Sequence, residues 1–141
     1  MSAEKNVALL KAAYRDWEES KGRNADCWLK IMSDNILLRS LGSGRPGLEF
    51  SRIRRGKADV GLYLAGMAEH WEMLSYQADE FIAQRDCVVV LASSAWRHRV
   101  TGVETATPKA DVWRFKNGKI IEFYDFFDTA AIVEAARKVA P

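Results

Sequence analysis

Few side chains in this 141-residue sequence can move a proton inside an apolar wall, and most of those fall between Cys87 and Ala131. The first is Asp125, set within Phe123-Tyr124-Asp125-Phe126-Phe127. On a strand, side chains alternate, so Phe123, Asp125 and Phe127 share one face and Tyr124 and Phe126 the other. A carboxylate flanked by two phenylalanines is desolvated, which raises its pKa and makes it a better base near neutral pH. Asp111 precedes Trp113 by two residues and shares its face by the same alternation. It reads either as a second pocket acid or as a cross-strand partner for Arg97 or Arg99. Two acids facing one pocket would split their titrations and form a general acid–base pair.

Two further groups are candidate polarising donors. His98 is the only histidine on the long strands, on the face of Trp96, and reads as a catalyst or as a hydrogen-bonded wall residue. Tyr14 lies with Trp17 on a helical stripe; such aromatics are core residues, with Tyr14 able to present a hydroxyl to a cavity beside it. Trp96, Trp113, Phe123 and Phe127 together make an aromatic wall suited to a flat or apolar ligand, with Trp17 of the helix a separate pocket-lining candidate. The rival reading packs such aromatics against a second copy, since an aromatic-rich exposed sheet needs a cover and a twofold homodimer supplies one. No His, Asp, Glu or Cys spacing resembles a metal site, and no glycine-rich strand-to-helix turn offers a phosphate cradle. Neither a metal nor a cofactor is expected.

The elements that must position these groups follow from periodicity and punctuation. Val7, Leu10, Tyr14 and Trp17 recur at helical spacing between Glu4 and Ser20, and Gly22 stops that helix. Asn24 or Asp26 caps a short second helix burying Trp28, Ile31 and Met32. Ile36 to Leu41 reads as a first strand running into the loop Gly42-Ser43-Gly44-Arg45-Pro46-Gly47, and Leu48 to Ile53 as a small edge strand. A third helix spans about Lys57 to Glu72, with Val60, Leu64, Met67 and Trp71 along one side. Gly61 and Gly66 within it imply close packing there. Met73 to Gln84 is the next strand. Three long antiparallel strands follow: from Cys87 through Trp96, from Asp111 to Phe115, and from Ile120 to Asp128. Asp128 or Thr129 caps a last helix, Ala130 to Val139. Early helices and late hairpins imply an α+β fold, a curved sheet wrapped around helices with a cavity at its wide end.

A chain of 141 residues reads as a single domain, residues 1–141, long enough to bury roughly 68–70% of its unfolded surface. With 21 basic and 19 acidic residues the surface is mixed. The short clusters Arg52-Ile53-Arg54-Arg55-Gly56-Lys57 and Arg97-His98-Arg99 read as solvated faces, so nucleic acid is not an expected partner. Cys27 and Cys87 sit in apolar surroundings and read as reduced, buried and inert, which fits a cytoplasmic protein. No signal peptide and no apolar run of membrane-spanning length is seen, so no membrane association is expected.

The close of the chain carries a resemblance. Asp111-Val112-Trp113-Arg114-Phe115, then Asn117-Gly118-Lys119-Ile120-Ile121, then Tyr124-Asp125-Phe126-Phe127-Asp128-Thr129-Ala130-Ala131, is similar to the ending of the SnoaL-like branch of the nuclear transport factor 2-like superfamily. The nearest likeness is to its ketosteroid isomerase-related proteins. The resemblance implies a cone: a curved, mostly antiparallel sheet around N-terminal helices, with a short C-terminal helix. It places Tyr14 where ketosteroid isomerases carry a donor to an enolate, Ser40 where they carry the base, and their second acid near Pro108. The Asp-Arg-Asp set of limonene epoxide hydrolase-like members would end at Asp125, with its other two members near Ala92 and Ser94. SnoaL-type cyclases use one pocket acid, which Asp125 or Asp111 would supply. The function implied is small-molecule binding, with isomerase, cyclase or hydrolase chemistry by proton transfer. The alternative is a non-catalytic binding or dimerisation module.

Overall fold

A computed structural model describes residues 2–137. The first helix, α1 (Ala3–Glu19), starts at Ser2, whose side chain accepts the Lys5 amide at 3.2 Å. It buries Leu10, Ala13, Tyr14 and Trp17. Gly22 turns the chain away with φ of 75°, a left-handed conformation that glycine adopts without strain. A single turn, α2 (Asp26–Leu29), follows, and Asn24 Oδ1 accepts the Cys27 amide at 3.2 Å. Trp28 is buried in that turn, whereas Ile31 and Met32 are buried beyond its end, Met32 as the first residue of the next strand.

The sheet comprises β1 (Met32–Ser40), β2 (Arg54–Arg55), β3 (Trp71–Gln84), β4 (Cys87–His98), β5 (Glu104–Lys116) and β6 (Lys119–Phe126). Its spatial order is β2-β1-β6-β5-β4-β3. All neighbours are antiparallel except β1 and β6, which run parallel. The helices α3 (Lys57–His70) and α4 (Thr129–Arg137) complete the chain. α1 packs on β3 and β4, α3 on β1, β2 and β3, and α4 on β5 and β4. Inward residues of the sheet meet them in a core where Leu10, Ile36, Leu38, Val60, Val88, Val90 and Ile120 are almost wholly buried. Each such aliphatic side chain contributes about 1.5–3 kcal/mol by leaving water.

Several local expectations are corrected. Leu48 to Ile53 forms no strand; Glu49–Ser51 is a turn of 3-10 helix, and the edge strand is Arg54–Arg55. The third helix stops at His70, because Trp71 already begins β3. The strand expected from Asp111 begins at Glu104, seven residues earlier. Gly61 and Gly66 are not close-packed: a Cβ on Gly61 would meet only Leu29 Cδ1 at 4.0 Å, and one on Gly66 nothing within 4 Å. Asp128 Oδ1 accepts the Ala131 amide at 3.1 Å and caps α4, whose expected extension to Val139 lies outside the described residues. Cys27 is buried and its thiol is pushed up to about 12, chiefly by burial, while Cys87 is only half-buried; neither forms a disulfide.

Among the described residues no helix is long and apolar enough to cross a membrane.

Candidate functional site

Alternation along β5 puts Thr107, Lys109, Asp111, Trp113 and Phe115 on the concave face, and along β6 it puts Phe123 and Asp125 there. The register aligns Asp111 directly with Asp125. Two carboxylates thus face one another inside the cone, 1% and 5% exposed. Between them lies the ammonium of Lys109, which donates to Asp125 Oδ1 and stands 3.4 Å from Asp111 Oδ1. One cation against two acids leaves the cluster one negative charge in excess when all three are ionised.

The two acids differ in what surrounds them. Asp111 Oδ2 accepts the hydroxyl of Tyr14 at 2.6 Å and that of Tyr76 at 2.7 Å. Tyr14 Oη in turn accepts the indole N–H of Trp113 at 2.9 Å. Asp111 is therefore held by a relay of buried donors. Among the described residues Asp125 has Lys109 alone as a side-chain donor, and its pKa is raised: burial raises it, Lys109 opposes, and the facing Asp111 raises it further. Lys109 shows the opposite balance. Burial works against its charge, but Asp111 and Asp125 outweigh it and hold the ammonium above the usual lysine range. It is thus a fixed cation and a hydrogen-bond donor, not a free amine.

Two small hollows flank this cluster, of about 60 Å³ and 40 Å³. Tyr63, Met67, Trp96, Lys109 and Asp125 border both. Each holds only a few waters. The inner one is floored by aromatics: Trp28 stacks on Trp113 at 4.8 Å and Trp113 on Phe123 at 4.1 Å. The outer one is bounded by Phe50, Trp71, Phe127 and Ile132. Asp125 and Lys109 present the only charges common to both.

Asp125, Asp111, Trp17, Trp96, Trp113 and Phe123 all border the inner hollow, and Phe127 the outer. Asp111 does not pair with Arg97 or Arg99: Arg97 bridges Glu72 and Glu104, and Arg99 donates to Ala68 O. Tyr14 is not a free donor into the cavity. It borders neither hollow, and its hydroxyl is already bonded to Asp111 and Trp113. His98 lies outside both hollows, near the hairpin end of β4, where its Nδ1 accepts the Val100 and Thr101 amides at 3.2 and 3.3 Å. Ser40 is buried opposite Asp125 in the β1–β6 register but borders neither hollow. Among the described residues no three His, Cys, Asp or Glu side chains are grouped to hold a metal ion.

Sequence reasoning missed Lys109, Tyr63 and Tyr76. Lys109 had a signal: it lies two residues before Asp111 and so shares its face. Tyr76 had none, because a register shift between Met73 and Ser75 reverses the alternation of β3 before it. At the two positions where the resemblance puts the other members of the Asp-Arg-Asp set, Ala92 and Ser94 carry no charge, so that set is incomplete; Lys109 is the cross-strand neighbour of Ala92.

Comparison with known proteins agrees with this architecture. Residues 11–123 match the family described as the SnoaL-like domain. No curated protein matches the chain. Among solved structures, a nuclear transport factor 2-like protein of unknown function from Burkholderia pseudomallei K96243 superposes with TM-score 0.83 at 23% identity, covering 98% of this chain and 100% of that one. TerC, co-crystallised with polyporic acid, gives 0.78 at 20% identity over 95% and 99% of the two chains. A protein with a ketosteroid isomerase-like fold from Catenulispora acidiphila DSM 44928, in complex with trimethylamine, gives 0.72 at 12% identity over 91% of each. At such identities the likeness shows the fold: the α+β cone of the nuclear transport factor 2-like superfamily.

Proposed function

This chain belongs to the SnoaL-like domain family, and from that premise we propose that it binds a small organic molecule in its cone and moves a proton on it with Asp125 as the base. The observation that carries this is the placement of Asp125: buried, opposite a second acid, bordering both hollows, with its pKa raised. A base whose pKa lies nearer neutrality both accepts and returns a proton readily. Asp111 is the less suited of the two, since Oδ2 already takes two hydroxyl donors and the side chain does not reach the outer hollow.

In the step proposed, a C–H proton beside a carbonyl passes to Asp125, the C–H electron pair forms a C=C bond, and the carbonyl π pair moves onto the oxygen. The ammonium of Lys109 stabilises the oxyanion that forms. Return of the proton to another carbon completes an isomerisation, and attack of the carbanion on a second carbonyl a cyclisation. Where Asp125 takes its proton from water instead, the hydroxide attacks a ring carbon that bears oxygen, that ring C–O bond breaks, and the departing oxygen takes the proton back from Asp125, which opens the ring hydrolytically. A ring-sized substrate exceeds either hollow, so binding requires side chains at their shared border to move aside, of which Met67 is the unbranched, flexible one.

The test is Asp125→Asn against a screen of carbonyl-bearing, ring-containing substrates. Turnover is expected to fall about 10²–10⁴-fold with folding and ligand binding retained; undiminished turnover removes Asp125 from the mechanism. The aromatic packing that narrows both hollows favours a second reading, a binding module without turnover, which a ligand recovered unchanged across that screen would support. We also propose that a second copy covers the outer sheet face, where Tyr124 and Phe126 stack at 4.3 Å and Arg39 lies over Tyr124 at 4.2 Å. Light scattering that returns a monomer mass would exclude it.

A further inference from the structure

Outside the outer hollow lies an open groove of about 430 Å³, whose lining includes Phe50, Tyr63, Met67 and Trp71. Those four side chains also border the hollow, so the groove is its vestibule. The groove differs from the hollow in charge. Arg54, on the edge strand β2, lines it and is 9% exposed. The Arg54 guanidinium is underused: Nη2 donates to Phe50 O at 3.3 Å, Nη1 stands 3.6 Å from Asp59, and Nε is buried with no partner among the described residues. Asp59 is shared, since Arg52 approaches the same oxygen at 3.3 Å. One carboxylate against two guanidiniums leaves a cation in excess. A buried guanidinium N–H without an acceptor is costly, and the partner that suits its planar fork is a carboxylate or a similar oxyanion.

The rest of the groove is compatible with an anion. His98 borders it, and because Nδ1 accepts two backbone amides the neutral ring carries its proton on Nε2, as a donor. His70 borders it too. The one acid on the rim, Glu49, is exposed and turned to its own loop, where Oε2 accepts the Gly47 amide at 3.1 Å. Tyr63 connects the two chambers: Arg54 lies 5.5 Å over its ring, and the same residue borders the hollow beside Asp125.

We propose that Arg54 is a specificity residue: it holds the carboxylate of an elongated, otherwise apolar substrate in the groove while the apolar body passes Tyr63 and Met67 toward Asp125. This rests on the functional reading above and narrows its substrate class to organic acids. The arrangement separates two acidic neighbours. The substrate anion stays at the guanidinium, away from the excess negative charge of the Asp111–Lys109–Asp125 cluster, and only an uncharged carbon skeleton approaches that cluster.

The experiment compares cinnamate with cinnamamide, two probes of one shape that differ in charge, by calorimetry and by the NMR signal of the Arg54 Nε–H. The acid is expected to bind at least about tenfold more tightly than the amide, the worth of one charge-assisted hydrogen bond, and to shift the Arg54 Nε–H resonance. Arg54→Lys and Arg54→Met should reduce that preference to within about twofold. Should a variant fail to fold, the wild-type resonance and the acid-to-amide ratio still decide. Equal binding of the two probes, or an acid that binds without moving the Nε–H signal, overturns the role of Arg54 and leaves the pocket reading standing. Binding of neither overturns both.

Discussion

The cone has two unlike walls. The β5–β6 wall carries the charges that border the two hollows, each fixed by register and by hydrogen bonds: Lys109, Asp111 and Asp125 on two adjacent strands, backed by Tyr14, Tyr76 and Trp113. The wall opposite, α3, offers the cavity Val60, Tyr63, Leu64 and Met67 and no charge. It also contains two glycines that meet almost nothing. A group that must hold a pKa and a direction needs neighbours that cannot move, and a sheet supplies them. A wall that must part to admit a molecule larger than 60 Å³ is better made of flexible, apolar side chains on one helix. Under the proposed function, chemistry rests on the sheet and access on the helix.

Removal of the shared cation should strike hardest. Lys109→Met leaves two buried carboxylates facing each other, and at neutral pH it should lower stability by about 3–5 kcal/mol in urea unfolding. The deficit should shrink as the pH is lowered and one carboxyl takes up a proton. A loss under about 1 kcal/mol would mean the charged wall is not the fixed element described.

The next effect is one of pH. Burial and the nearby acids raise the phenols of Tyr14 and Tyr76, with Asp111 the main acid, and that of Tyr63, with Asp125 the main acid. Lys109 is raised as well. Above about pH 10 the unfolded chain loses these protons while the folded chain keeps them, so stability that is complete below that pH falls as the pH rises. Each such group adds a slope of up to about 1.4 kcal/mol per pH unit. Unfolding midpoints that stay flat from pH 9 to 11 would contradict the buried relay.

Within the charged wall, Tyr14→Phe and Tyr76→Phe each remove one hydroxyl from Asp111. Each is expected to lower stability by about 1.5–3 kcal/mol. Tyr14→Phe should be the more damaging, because it also orphans the Trp113 N–H. Equal losses would show that the indole bond adds nothing. The smallest effect belongs to the helix wall. Gly66→Ala meets no neighbour and should raise stability by about 0.5–1 kcal/mol, with slower ligand binding if α3 is the element that opens.

Part of this site was legible before any coordinates. Alternation around Asp125 and Asp111 is a local property of extended backbone, and it placed Asp125 on one face with Phe123 and Asp111 on one face with Trp113, while the structure turned both faces inward. The same rule would have placed Lys109 had β5 been carried back two residues before Asp111; the strand runs on through Pro108, which sits on an exposed position of it. His98 illustrates the limit of that rule: its strand position is correct, yet the sheet has left the cavity by the time the chain reaches it.

The sequence by itself determined most of the helices and strands, where most turns fall, and which residues of each late strand share a face, because those follow from residue spacing along one chain. Only the tertiary structure decided that Asp111 meets Asp125, that one lysine serves both, that β1 joins β6 in parallel, and that Tyr14 and Tyr76 converge on a single oxygen. Those facts depend on register between strands, on a bulge in β3 and on the burial they create together, and pairings between distant segments leave no mark in the spacing of either one alone.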